Sequence, residues 1–177
     1  TTTDRLTTLA TAAPGIAAAA HTFTYAYLAN SNLLAGLTAE SGTPFAVSRT
    51  FEDQRDVLIG IDTQWSNASR AGYTYVTDAL GQRTSVKQTG SAFADYYDPG
   101  ATNLGTLQTF AYDARSQLTA APTYLGSTAS AAQKLPNRQH EFAYDNIGNR
   151  TTAGRTGNVA DRETYTCLLY TSDAADE

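Results

Sequence analysis

The sequence predicts an all-β protein built of stacked hairpin repeats. Three observations carry this. Tyr (11) outnumbers Phe (6), and Thr, Ala, Gly and Asn are plentiful; Tyr and Thr favour strands, Gly and Asn favour turns. The stretch Glu141–Arg150 has the chemistry of one complete hairpin. Its fixed points then recur along most of the chain.

In that stretch Phe142 and Tyr144 lie two apart, so in a strand they share a face. Asp145-Asn146-Ile147-Gly148 suits a type I turn, with Asp first and Gly fourth. Gly148 at positive φ would complete a three-residue hairpin loop with a glycine bulge. Arg150 and Thr151-Thr152 begin the return strand.

Taken in order, Thr1–Thr8 contains Asp4-Arg5-Leu6-Thr7, which fits the return strand of a repeat whose front lies outside the sequence. Ala10–Ala20 is Ala-rich, interrupted by Pro14-Gly15, and suits a loop or a short helix equally. Residues 1–22 therefore read as a partial repeat and a connection, and 23–166 as the repeats. Each copy has an aromatic anchor, a turn residue four later and a strand residue six later. The copies are Tyr27, Ser31, Leu33; Phe51, Arg55, Val57; Phe110 and Tyr112, then Ser116, Leu118; and Phe142 and Tyr144, then Gly148, Arg150. Another copy starts at Tyr73 and Tyr75, with two extra residues before Asp78–Arg83. Tyr165 would open a sixth. Only two of the five keep Gly at the turn, so the turn type is expected to vary. Asp95–Gly105 and Pro122–Pro136, rich in Gly, Ser, Ala and Pro, read as surface excursions.

A lone hairpin is marginal, so such units must stack. The expected product is a continuous sheet with the anchor aromatics on one face. The ends of such a strip are unpaired edges prone to association. Read as a fragment cut at both ends, the chain is expected to fold poorly alone.

The last eleven residues, Cys167–Glu177, match residue for residue the translation of a transposon-end sequencing adapter and are set aside as non-native. Cys167 is the only cysteine, so no disulfide argument stands. Asp173, Asp176 and Glu177 account for more than half of the net charge of -5. Arg and Lys are scattered singly, which argues against a nucleic-acid face. Ala17–Ala20 is too short for a signal peptide or a membrane span.

The residues Phe142-Ala143-Tyr144-Asp145-Asn146-Ile147-Gly148-Asn149-Arg150 resemble the YD repeat of RHS-repeat proteins. So do Asp78–Arg83 and Phe110–Leu118. The resemblance covers roughly Phe23 to Tyr165. Phe51-Glu52 and Tyr27-Leu28 depart from the Tyr-Asp pair, so the early copies rest on spacing. The resemblance implies a long secreted or cell-surface chain whose β-strip spirals into a hollow shell. In bacterial polymorphic toxins related to the Tc complexes the shell encloses a variable C-terminal effector. In animal teneurins a similar shell serves adhesion, and carbohydrate binding is associated with these repeats. On that basis this chain is a non-catalytic piece of wall, and its partners are neighbouring repeats and an enclosed effector.

Few residues suggest other chemistry. Asp98-Pro99-Gly100 resembles the Asp-Pro motif of the self-cleaving region that ends many RHS shells, but it sits mid-repeat without a second carboxylate motif; a Pro-initiated turn is the better reading. His21 and His140 are single and far apart, which disfavours zinc. Asp78, Asp113 and Asp145 are spaced far beyond a calcium loop and read as turn caps. No nucleophile elbow, phosphate loop or dinucleotide fingerprint occurs. No catalytic, cofactor or metal residue is assigned. Trp65 with Asn67, Tyr73 and Tyr75 suits a sugar-stacking surface, while packing or a hairpin-loop position for Trp65 is favoured.

Overall fold

The computed structural model describes residues 4–11, 21–40, 44–94, 105–155 and 163–164. Among them thirteen strands form one open antiparallel sheet. The strands are β1 (Thr8–Thr11), β2 (His21–Tyr27), β3 (Leu34–Glu40), β4 (Phe45–Phe51), β5 (Leu58–Trp65), β6 (Ala68–Thr77) and β7 (Arg83–Thr89). They continue as β8 (Thr106–Thr109), β9 (Ala111–Tyr112), β10 (Leu118–Leu125), β11 (Lys134–Tyr144), β12 (Arg150–Arg155) and β13 (Glu163–Thr164). Neighbours in sequence are neighbours in the sheet, except that β8 and β9 both pair with β10. The chain is thus the expected all-β strip of hairpins. A short helix, α1 (Ser91–Ala94), follows β7.

The alternating pattern gives the sheet two unlike faces. Paired residues share a face. Register places Tyr25 beside Leu37, Leu37 beside Val47, Ile61 beside Tyr73 and Tyr75 beside Val86. This face is aromatic and aliphatic, and most of it is half-buried. Phe93 of α1 meets Tyr73 edge-on at 5.6 Å, so the helix lies on it. The opposite face joins Thr24 to Thr38, Gly36 to Ser48, Ser48 to Asp62, and Gly72 to Thr89. Across β2–β7 it is small and polar, and at β8 and β10 it carries the Leu107–Tyr124 pair.

The best-buried residues lie where β8, β10 and β11 meet. Ala121 is 4% exposed and Leu135 6%, with Thr106, Thr123, Tyr124 and Gln139 beside them in the buried class. This corrects the reading of Pro122–Pro136 as a surface excursion. Pro122 to Leu125 belong to β10, and Lys134 to Pro136 to β11. Only Gly126 to Gln133 connect them. Thr123, Tyr124 and Leu125 are strand formers, and Pro122 is accommodated at a register shift. The Asp95–Gly105 excursion lies outside the described residues except Gly105, whose φ of +63° admits it close against Gln88.

Candidate functional site: the turn rim and the two faces

Alternate hairpin turns lie on the same end of the meander. Five of these, after β2, β4, β6, β9 and β11, carry the repeat motif, so the motif turns line one rim. Three share one design. Asp78, Asp113 and Asp145 each open the turn. In each, Oδ1 accepts two backbone N–H groups: Leu80 and Gln82 at 2.9 Å, Arg115 and Gln117 at 2.9 Å, and Ile147 and Asn149 at 3.0 and 2.8 Å. The fourth position takes positive φ: Gly81 79°, Ser116 65°, Gly148 97°. Ser116 therefore accepts the left-handed conformation at roughly 1–2 kcal/mol of strain. The three aspartates serve as turn caps.

The first two turns differ, so the turn type varies between copies, although Ser116 keeps the common design without glycine. Tyr27 pairs with Leu34 and Phe51 with Leu58, whereas Tyr144 pairs with Arg150. Each of the first two turns is one residue longer. Positive φ falls on Asn30 and Asp56 instead of Ser31 and Arg55.

Tyrosine hydroxyls tie three of the five motif hairpins to the segment before. Tyr112 Oη donates to the Arg83 carbonyl at 2.8 Å and Tyr144 Oη to Leu118 at 3.0 Å. Tyr27 Oη donates to Leu6 at 2.9 Å. Arg83 and Leu118 open their return strands, and Leu6 lies two residues before β1. The turn frame puts Thr77, not Tyr75, at the anchor position, because Asp78 aligns with Asp113 and Asp145. The two extra residues of that copy vanish in this alignment.

Arginines brace the rim. Arg55 Nη1 donates to the carbonyls of Asp78 (2.8 Å) and Ala79 (3.2 Å), and Arg115 Nη1 to those of Asp145 and Asn146. Arg5 Nη1 donates to Ser31. Arg55 also pairs with Glu52 at 2.7 Å, and that hydrogen bond raises its pKa. For Asp145, desolvation pushes the pKa up. The hydrogen bonds from Asn149, Ile147 and Gly148 outweigh it and hold the carboxyl below its ordinary value. Leu80 (79% exposed) and Ile147 (75%) project from the tips of two braced turns.

The polar face holds two shallow clefts. One, of about 220 Å³, is floored by Gly60 and Gly72 and lined by Ser48, Thr50, Asp62 and Thr89. Asp62 accepts from Gln64 Nε2 at 2.7 Å and Ser69 Oγ at 2.5 Å. The other, of about 290 Å³, lies between Ala120, Glu141, Ala143, Thr152 and Gly154.

The sugar-stacking grouping is not assembled. Trp65 is 48% exposed at a hairpin end, edge-on to Phe45 at 6.3 Å. Ser66 and Asn67, both at positive φ, form the type I′ turn beyond it. Tyr73 and Tyr75 stack on each other at 6.4 Å. Tyr73 faces Ile61, four strand positions or about 13 Å from Trp65. His21 is on β2 and His140 on β11. Among the described residues no group of three or more His, Cys, Asp or Glu could hold a metal. Asp98-Pro99-Gly100, Tyr165 and Cys167–Glu177 lie outside the described residues. No helix among the described residues is long and apolar enough to cross a membrane. No family model matches the chain, and no curated protein matches it.

Sequence reasoning missed the tyrosine ties and arginine braces. The signal for the first was present: a Tyr directly before the turn Asp in two copies.

Proposed function

We propose that the chain is a wall segment of a large secreted or surface RHS-repeat protein, enclosing or presenting an effector domain. The observation that supports this most is the recurring tie from an anchor tyrosine to the return strand of the preceding hairpin. It couples three of the five motif hairpins to the segment before them, which suits a long continuous strip. The one apolar and one small polar face of β2–β7 also suit a wall, which has two different sides. Enclosure needs no catalytic group from this segment.

A second reading is an adhesive or carbohydrate-binding repeat module. The hydroxyl-lined cleft around Asp62 favours it. Expression of the full reading frame from the source DNA separates the two. Enclosure predicts a hollow particle in electron micrographs and a C-terminal domain resistant to protease until the shell is opened. A solid or open particle that retains glycans on an array supports adhesion and overturns enclosure.

A further inference from the structure

Two stretches have the form Asn-x-Ser/Thr with x not proline: Asn67-Ala68-Ser69 and Asn149-Arg150-Thr151. That triplet is the acceptor for N-linked glycans, and its proper setting is an exposed turn of a secreted chain. The fold treats the two triplets differently. Asn67 lies in the two-residue turn between β5 and β6, and Asn67, Ala68 and Ser69 are all exposed. This turn is at the end of the meander away from the motif rim. Asn149 is half-buried, and its Nδ2, the atom that would carry the sugar, donates to Asp145 Oδ2 at 3.0 Å. A glycan on that atom would compete with the turn that Asp145 builds.

A second observation points to the same turn. Trp65, the one tryptophan of the chain, is 48% exposed. It pairs with Ala68 across the turn and so stands two residues before Asn67. Two Cα steps span at most about 7.6 Å, which puts the indole within reach of the first sugar on Asn67. A pyranose presents a face of C–H groups, and such a face packs on the electron-rich face of an aromatic ring.

We propose that Asn67 is an N-glycosylation site whose first sugar packs on Trp65. The side-chain nitrogen of Asn67 attacks the anomeric carbon of an oligosaccharide carried on a polyprenyl pyrophosphate. The C–N bond forms, the C–O bond to the pyrophosphate breaks, polyprenyl pyrophosphate leaves and the amide gives up one proton. Ser69 carries the hydroxyl that the transferase reads. In the folded sheet this Oγ donates to Asp62 at 2.5 Å, so transfer takes place before β6 pairs with β5. The inference rests on the secreted or surface location of the wall reading and needs no shell.

Translation of the 177-residue chain behind a secretory leader, in microsomes that glycosylate, tests the acceptor. Thr151→Ala removes the second triplet and leaves the Asn149 side chain in place, so any glycan then found is on Asn67. One glycan is expected, released by a glycan-specific amidase and lost in Asn67→Gln. A chain left unmodified overturns the site. Fluorescence of the single tryptophan tests the packing. Acrylamide should quench Trp65 less in the glycosylated chain than in the same chain after the amidase. Trimming to one sugar with an endoglycosidase should keep that protection. Equal quenching of the two forms, or protection that trimming removes, overturns the packing. Neither readout depends on a closed shell, so failure here and failure of the wall reading are separate results.

Discussion

The hydroxyl of Tyr144 donates to the carbonyl of Leu118 at 3.0 Å, tying the last motif hairpin to the one before it. The bond gives the anchor tyrosine a role that phenylalanine cannot fill. Tyr144→Phe should destabilise the chain by about 0.5–1.5 kcal/mol in urea unfolding. The converse applies at Phe51, which occupies the anchor position of the second hairpin. Continuing the β3–β4 register sets Leu34 opposite Thr50, as the β10–β11 register sets Leu118 opposite Ala143, so Phe51→Tyr should reach the Leu34 carbonyl and stabilise by a similar amount.

Two glycines at positive φ should behave differently. A Cβ on Gly105 would stand 2.0 Å from the Gln88 carbonyl oxygen, a contact that requires β7 and β8 to separate. A Cβ on Gly81 would meet nothing within 4 Å. Gly81→Ala should cost about 1–2 kcal/mol, the left-handed strain alone. Gly105→Ala should cost more, on the order of 4 kcal/mol, or prevent folding. Thermal melts of the two variants check the order.

Asp145 carries a pH dependence of known sign. Its folded pKa lies below the ordinary carboxylate value of about 3.9. Its contribution is therefore complete above that value and is lost as pH falls through the lower, folded one. Asp145→Asn keeps a side-chain oxygen to accept the Ile147 and Asn149 N–H groups but does not titrate. Its melting temperature should fall less steeply than wild type between about pH 5 and pH 2.

Arg49 places Nη1 in the apolar face with no hydrogen-bond partner. An unsatisfied buried donor is unfavourable by about 1–3 kcal/mol. Arg49→Met keeps the hydrocarbon stem against Ile61, its register partner, and removes the donor. Equal or higher stability in urea is expected, and a large loss would show that the guanidinium is needed.

Much of this fold is legible in the sequence because the alternation is strong. Thr22-Phe23-Thr24-Tyr25-Ala26-Tyr27 and Phe45-Ala46-Val47-Ser48 announce both the strands and their two faces. The turn chemistry of Asp145 to Gly148 is equally plain. Errors came where one signal stood in for another. Tyr73 and Tyr75 drew the anchor two residues early, while the frame is set by Asp78, whose carboxylate builds the turn. The first two turns read as the same length as the rest, but Ser31 and Arg55 pass the left-handed position to Asn30 and Asp56. The prolines of Pro122–Pro136 suggested a loop, yet long-range pairing with β8 and β11 overrides them. The tyrosine ties and arginine braces join residues more than twenty positions apart, which local spacing cannot reveal.

The measurement that tests the central claim most directly is a longer read of the source DNA across both ends of this sequence. The wall reading predicts an open frame that runs on through many more Tyr-Asp hairpins with a tyrosine before the turn aspartate, and then a distinct C-terminal domain. A frame that closes shortly beyond Tyr165 with no further repeats would contradict it.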